Sequence, residues 1–179
     1  MSKSAPPIPS VYDPVAKALH WSIAALLAAQ FTIGWTMPHV RKGTLPVGAI
    51  GWHVTVGVAI ILLVAARIVW RFARPPKVPP TDRGAVARAA QIMHLLLYVL
   101  MAVVPVLGWA NASSRDWAVG LTPWLELPRI MPVGSKLGHD FGDLHGNLAI
   151  VLAVIIGLHV AAGLYHQFVV RDQTLRRMV

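Results

Sequence analysis

Polar and apolar positions alternate along this chain in blocks, not at the two- or 3.6-residue period of a half-buried element. Four stretches, 18–40, 43–66, 89–114 and 144–170, contain no Asp, Glu, Lys or Arg. A helix needs about 20 such residues to cross the hydrocarbon of a bilayer, and these segments lack the polar stripe that a water-facing helix presents. The pattern therefore predicts four membrane-spanning helices, over about 14–37, 47–71, 86–110 and 141–170. Asp13 followed by Pro14 predicts the start of the first helix, and Pro38 its end. The outer connection from His39 to Pro46 is short, so the second helix returns antiparallel beside the first. Residues 75–81 read as a Pro-rich loop, Pro105 predicts a kink in the third helix, and 112–140 reads as an interfacial cap carrying Trp117, Pro123 and Trp124.

Composition and charge sharpen this reading. At 56% hydrophobic residues the chain is too apolar for an ordinary soluble domain of its size. Lys3, Lys17, Arg67, Arg71, Arg74, Lys77, Arg83, Arg88, Arg171, Arg176 and Arg177 fall with the termini and the middle loop, against Arg41, Lys42, Arg115, Arg129 and Lys136 on the other side. The positive-inside rule then places both termini in the cytoplasm. The formal charge of +9 is thereby explained without nucleic acid. The absence of cysteine removes disulfides, iron–sulfur clusters and covalent c-type haem. Residues 1–13 form a polar leader without a cleavage pattern, expected to stay attached and loosely ordered. No repeat or second domain interrupts 1–179. The expected fold is all-α: a single multi-pass integral membrane four-helix bundle with both termini cytoplasmic.

Ionisable side chains inside such helices are costly and read as functional. His20 lies near the inner end of the first helix and His53 near the outer end of the second. His145 and His159 lie near opposite ends of the fourth. Fourteen residues at about 100° each fall roughly 40° short of four turns, so the last two imidazoles share a face about 21 Å apart along the axis. His20 can meet His159 at the inner depth, and His53 can meet His145 at the outer depth. Two neutral imidazoles on opposite sides of a plane hold a six-coordinate haem iron. A non-haem cluster would gather ligands at one depth, with carboxylates that the helices lack in their middles. Two b-type haems stacked across the bilayer are the expectation. Gly34, fourteen residues after His20, and Gly57 and Gly163, four after His53 and His159, offer gaps for a porphyrin edge.

Three further polar groups lie toward the inner side, His94 and Arg67 at the depth of the inner pair and His166 about 10 Å closer to the cytoplasm. His94, in the third helix, offers a substitute ligand, a quinone hydrogen-bond partner or a packing residue, and the second role is favoured. His166 follows His159 by seven, on the same face, where a quinone headgroup or haem propionate would lie; an interfacial histidine is the plain alternative. Arg67, fourteen after His53, suits a propionate partner. His39 and His139 are expected to face solvent.

The ordered set LHW (19–21), WH (52–53), LH (144–145) and GLH (157–159), with the ending YHQFVVRDQTLRRM (165–178), resembles the bacterial cytochrome b561 family of di-haem membrane proteins. The resemblance covers nearly the whole chain and implies His20, His53, His145 and His159 as haem ligands. It further implies electron transfer between a periplasmic one-electron donor and membrane quinone. Some members are superoxide oxidases that reduce ubiquinone. Similar cytochromes serve as haem-bearing membrane anchor subunits for a partner hydrogenase or dehydrogenase, and that alternative stays open. So does the choice between monomer and homodimer.

Overall fold

The computed structural model describes residues 11–75, 84–122, 124–172 and 174–179; most of the leader, residues 76–81 of the Pro-rich loop and Pro123 lie outside them. Four helices dominate: α1 (Pro14–Thr36), α2 (Gly48–Ala73), α3 (Gly84–Ser114) and α4 (Lys136–Tyr165). Each is long and apolar enough to cross a membrane.

Local chemistry sets their ends. The Asp13 carboxylate accepts the Ala16 backbone N–H at 3.0 Å with Pro14 in the first turn, satisfying one donor that a helix start leaves orphaned. At the far end the Met37 N–H closes on the Ile33 carbonyl just before Pro38. Helix α4 begins at Lys136, ahead of the apolar run from 144, because the Ser135 hydroxyl accepts the Gly138 N–H at 3.3 Å. Pro105 lies inside α3, which continues through it to Ser114. The outer cap carries what the hydrophobic pattern did not predict, a small antiparallel hairpin of β1 (Gly120–Thr122) and β2 (Leu125–Glu126). Just before it, the Trp117 indole donates to the Thr44 carbonyl at 3.1 Å, tying the cap to the connection between α1 and α2.

Ile23, Ile60, Val64, Leu97, Met101, Val104 and Leu152 form the buried middle of the bundle, drawn from all four helices. Most remaining apolar side chains point outward, Leu62, Val69, Leu95, Val99, Ile150, Val154 and Leu158 among them. In water so wide an apolar exterior would drive association. In lipid it is the expected surface of a multi-pass membrane protein.

The packing is uneven. Helix α1 lies along α2, α2 touches α3, and α3 lies along α4, whereas α4 stands off from α1 and α2. The seam between α3 and α4 is built on small residues. An added side-chain carbon at Gly138 would strike Ser114, and one at Gly142 would lie 2.8 Å from the Asn111 side chain. One turn further along the direction reverses, and Gly108 of α3 receives His145 of α4. Glycine here permits close backbone approach, the usual device for joining membrane helices.

Candidate functional site

The space separating α4 from α1 and α2 is crossed by two pairs of imidazoles. At the end bearing both termini, called inner here, the His20 and His159 ring centres lie 6.4 Å apart with planes at 70°. At the outer end His53 and His145 lie 5.9 Å apart at 87°. Two imidazoles bound to one metal through bonds of about 2 Å would have ring centres roughly 6 Å apart. Both pairs have that spacing. Helix α4 is continuous from Lys136 to Tyr165, so His145 and His159 are held about 21 Å apart on one rod.

The other ring nitrogens test the fit. His145 Nδ1 lies 2.8 Å from the Val104 carbonyl oxygen. Donation there would leave the Nε2 lone pair for a metal, as in most metal-binding histidines. Gly108 makes the contact possible, because a side-chain carbon at that position would sit 3.0 Å from His145 Cε1 and Nδ1. His53 faces a second glycine in the same way, with Cε1 3.3 Å and Nδ1 3.5 Å from the carbon that Gly34 lacks. Gly34 therefore seats an imidazole, where the spacing suggested a gap for a porphyrin edge. His53 Nδ1 is buried without a hydrogen-bond partner among the described residues, and its carbonyl accepts from Gln30 Nε2 at 3.0 Å. A buried polar atom left unpaired costs about 1–3 kcal/mol, and a metal bond at the other nitrogen is an interaction that would offset it. The residues fit two bis-histidine haem sites.

Around the inner pair the remaining assigned residues take definite places. The His94 ring stands 5.4 Å from that of His159, with Nδ1 2.8 Å from the Ala90 carbonyl, so three imidazoles share this depth. Arg67 is spread between α3 and α1, donating to the Tyr98 hydroxyl at 3.2 Å and the Ala16 carbonyl at 3.0 Å. Nearby, Trp70 Nε1 donates to Asp13 at 3.0 Å. His166 lies beyond α4 in a π-helical turn, His166–Val170, with Nδ1 2.6 Å from Asp172 Oδ2. Partial burial pushes the Asp172 carboxyl up, but hydrogen bonds from Thr174 and His166 outweigh it and hold the group below the usual aspartate range.

His39 and His139 are exposed. His139 nonetheless reaches Ser114 Oγ, 3.1 Å from its Nδ1. The outer cations differ in their freedom: Arg129 is paired with Asp116, and Arg115 donates to Asn111 and to the Arg41 carbonyl. Sequence reasoning missed Gly108, the Val104 carbonyl, Tyr98 and Asp172. The spacing of four between Gly138 and Gly142 was a legible sign of a tight helix seam; the partners across it were not.

Four spanning helices with facing histidine pairs define a class, the membrane cytochromes of b type. The profile described as prokaryotic cytochrome b561 matches residues 11–179, and the chain belongs to that family. It is 25% identical over 179 residues to cytochrome b561 homolog 2 of Escherichia coli (strain K12), covering 96% of this chain and 92% of the relative. It is 29% identical over 170 residues to the probable superoxide oxidase CybB of Yersinia pestis, covering 90% and 91%. It is 31% identical over 167 residues to cytochrome b562 of Cereibacter sphaeroides, covering 90% of each. The chain is thus a haem-binding electron-transfer protein of the inner membrane.

Proposed function

We propose that this chain binds two haem b, one between His20 and His159 and one between His53 and His145, and conducts electrons from a periplasmic one-electron donor to ubiquinone. Superoxide is the proposed donor, which makes the protein a superoxide:ubiquinone oxidoreductase. The observation that carries this reading is the placing of two imidazole pairs, each at metal-bridging distance, at two depths of one helix. The likeness to a probable superoxide oxidase over most of both chains supports the choice of donor.

Bound haem supplies one-electron storage at each depth; the chain supplies orientation and charge. The Val104 carbonyl and Gly108 fix the His145 ring. Arg67 places a cation at the inner depth, where a propionate would take it. Among the outer cations Arg129 is neutralised by Asp116, so attraction of a small anion rests on Arg41, Lys42 and Lys136 and is modest. At the inner end His94 and His166 serve the quinone. Both termini lie in the cytoplasm by the charge bias, so the protons of quinol formation come from that side.

Stopped-flow mixing of the oxidised protein with superoxide and a soluble ubiquinone analogue tests the proposal. Fast haem reduction followed by catalytic quinol formation is expected. Reduction no faster than spontaneous superoxide decay overturns it and leaves the anchor-subunit role.

A further inference from the structure

Residues six apart on a regular helix sit about 240° round its axis, so Asp172 has no business facing His166 by helical geometry alone. The chain brings them together by leaving that geometry. The wide π-helical turn His166–Val170 ends at Arg171, which adopts the left-handed conformation with φ 58°. The Asp172 N–H then returns to the His166 carbonyl at 3.2 Å. For a non-glycine residue the left-handed region is uncommon, and single-turn π segments recur at functional sites.

The result is a held carboxylate. Asp172 Oδ1 accepts the Thr174 N–H at 2.8 Å while Oδ2 meets His166 Nδ1 at 2.6 Å, and the two side chains are only 19% and 16% exposed. Beyond them the tail crosses beneath α1. Tyr12 N–H donates to the Arg177 carbonyl at 3.1 Å. Trp21 Nε1 donates to Met178 at 2.8 Å and Lys17 Nζ to Val179 at 2.5 Å. Trp21 also packs edge-on against His20, ring centres 5.3 Å apart. The segment that carries Asp172 is therefore anchored both to α4 and beside the inner histidine pair.

We propose that Asp172 is a positioning residue for quinone reduction, fixing the tautomer and orientation of His166. An ionised carboxylate only accepts hydrogen bonds, so it keeps the proton on Nδ1 and assigns proton exchange to Nε2. The proposal rests on the reading of the inner end as the quinone-reducing end. Converting a quinone to its quinol takes two electrons, those delivered to the inner end, and two protons, both from cytoplasmic water. His166 relays one of these protons: Nε2 takes it from water and gives it to a quinone oxygen.

The test uses the full-length, haem-loaded protein with ¹⁵N-labelled histidine, in wild-type, D172A, D172N, D172E and H166Q forms, each accepted only with a wild-type haem spectrum. Wild type should show His166 in one Nδ1–H tautomer, mixed in D172A and D172N and restored in D172E. With a short-chain ubiquinone analogue, D172A should lose about 10- to 100-fold in kcat, the usual cost of removing an orienting partner, with KM within about twofold and recovery in D172E. An unchanged tautomer in D172A, or wild-type kcat in D172A where H166Q is slow, overturns the proposal. Wild-type rates in H166Q overturn it too, even with the tautomer fixed by Asp172. No quinol formation by the wild type, by contrast, refutes the underlying quinone reading, while the ring spectrum still reports whether Asp172 holds His166.

Discussion

The Gly108→Ala substitution puts the outer site under a calculable strain. The added carbon would lie 3.0 Å from both Cε1 and Nδ1 of His145, and ordinary carbon contacts begin at about 3.5 Å. The ring must retreat from α3 by about 0.5 Å, carrying its Nδ1 contact with Val104 from 2.8 Å to about 3.3 Å, beyond the usual range for such a bond. Losing that hydrogen bond in a buried setting costs about 1–3 kcal/mol. A 10- to 100-fold loss of affinity at the outer site follows, in line with other losses of a metal ligand's orienting partner. Gly34→Ala should act in the same sense and more weakly, since its carbon would lie 3.3 Å from His53 Cε1. Gly157→Ala, whose carbon would meet nothing within 4 Å, is the control. Haem counting by pyridine haemochrome, with electron paramagnetic resonance to separate two low-spin signals, reads the outcome. If G108A retains both haems with unaltered signals and potentials, the glycine seat is not what orients His145.

Replacing His53 or His145 with Ala should remove the outer haem alone, and replacing His20 or His159 the inner one alone; loss of the same haem from H20A and H53A would show the pairing to be wrong. Arg67→Gln should shift the inner haem potential downward in a redox titration, because a cation favouring the reduced state is gone, and should lower the melting temperature through its lost bonds to Tyr98 and Ala16, with the outer potential unmoved. Asp172 titrates below the usual aspartate range when folded, so its stabilising contribution is complete above the unfolded value of about 3.9 and is lost as pH falls through the folded one. Thermal melts of wild type and D172N should therefore differ at pH 7 and converge in acid; a gap that persists at pH 2 would assign the difference to something other than this carboxylate.

How much of this was readable in the amino-acid order depends on the range of the interaction. The four spans follow from runs without charge, since the cost of placing a charge in hydrocarbon acts residue by residue. Helical period along one rod likewise put His145 and His159 on a shared face. Arg67 was placed at the right depth, but its hydrogen-bond partners, Tyr98 and Ala16, come from two other helices and no local rule names them. Gly34 was assigned to a porphyrin edge because period gives a face and not the neighbour across it; the neighbour is His53. The Asp172–His166 contact was hidden for a different reason. It depends on a break in helical period after Tyr165, and a periodic pattern carries no information past the point where the period ends.

The standing-off of α4 from α1 and α2 bears on how the protein is made. Helices α1 and α2 can insert as one hairpin and α3 and α4 as another, each already packed along its own length. The four histidines then join partners from opposite hairpins, α1 to α4 and α2 to α4. Cofactor loading would accordingly be the step that ties together two hairpins already packed along their own lengths. Cells starved of haem should accumulate an inserted but loosely joined precursor open to membrane proteases, so that supply of the cofactor sets the abundance of the protein as well as its colour.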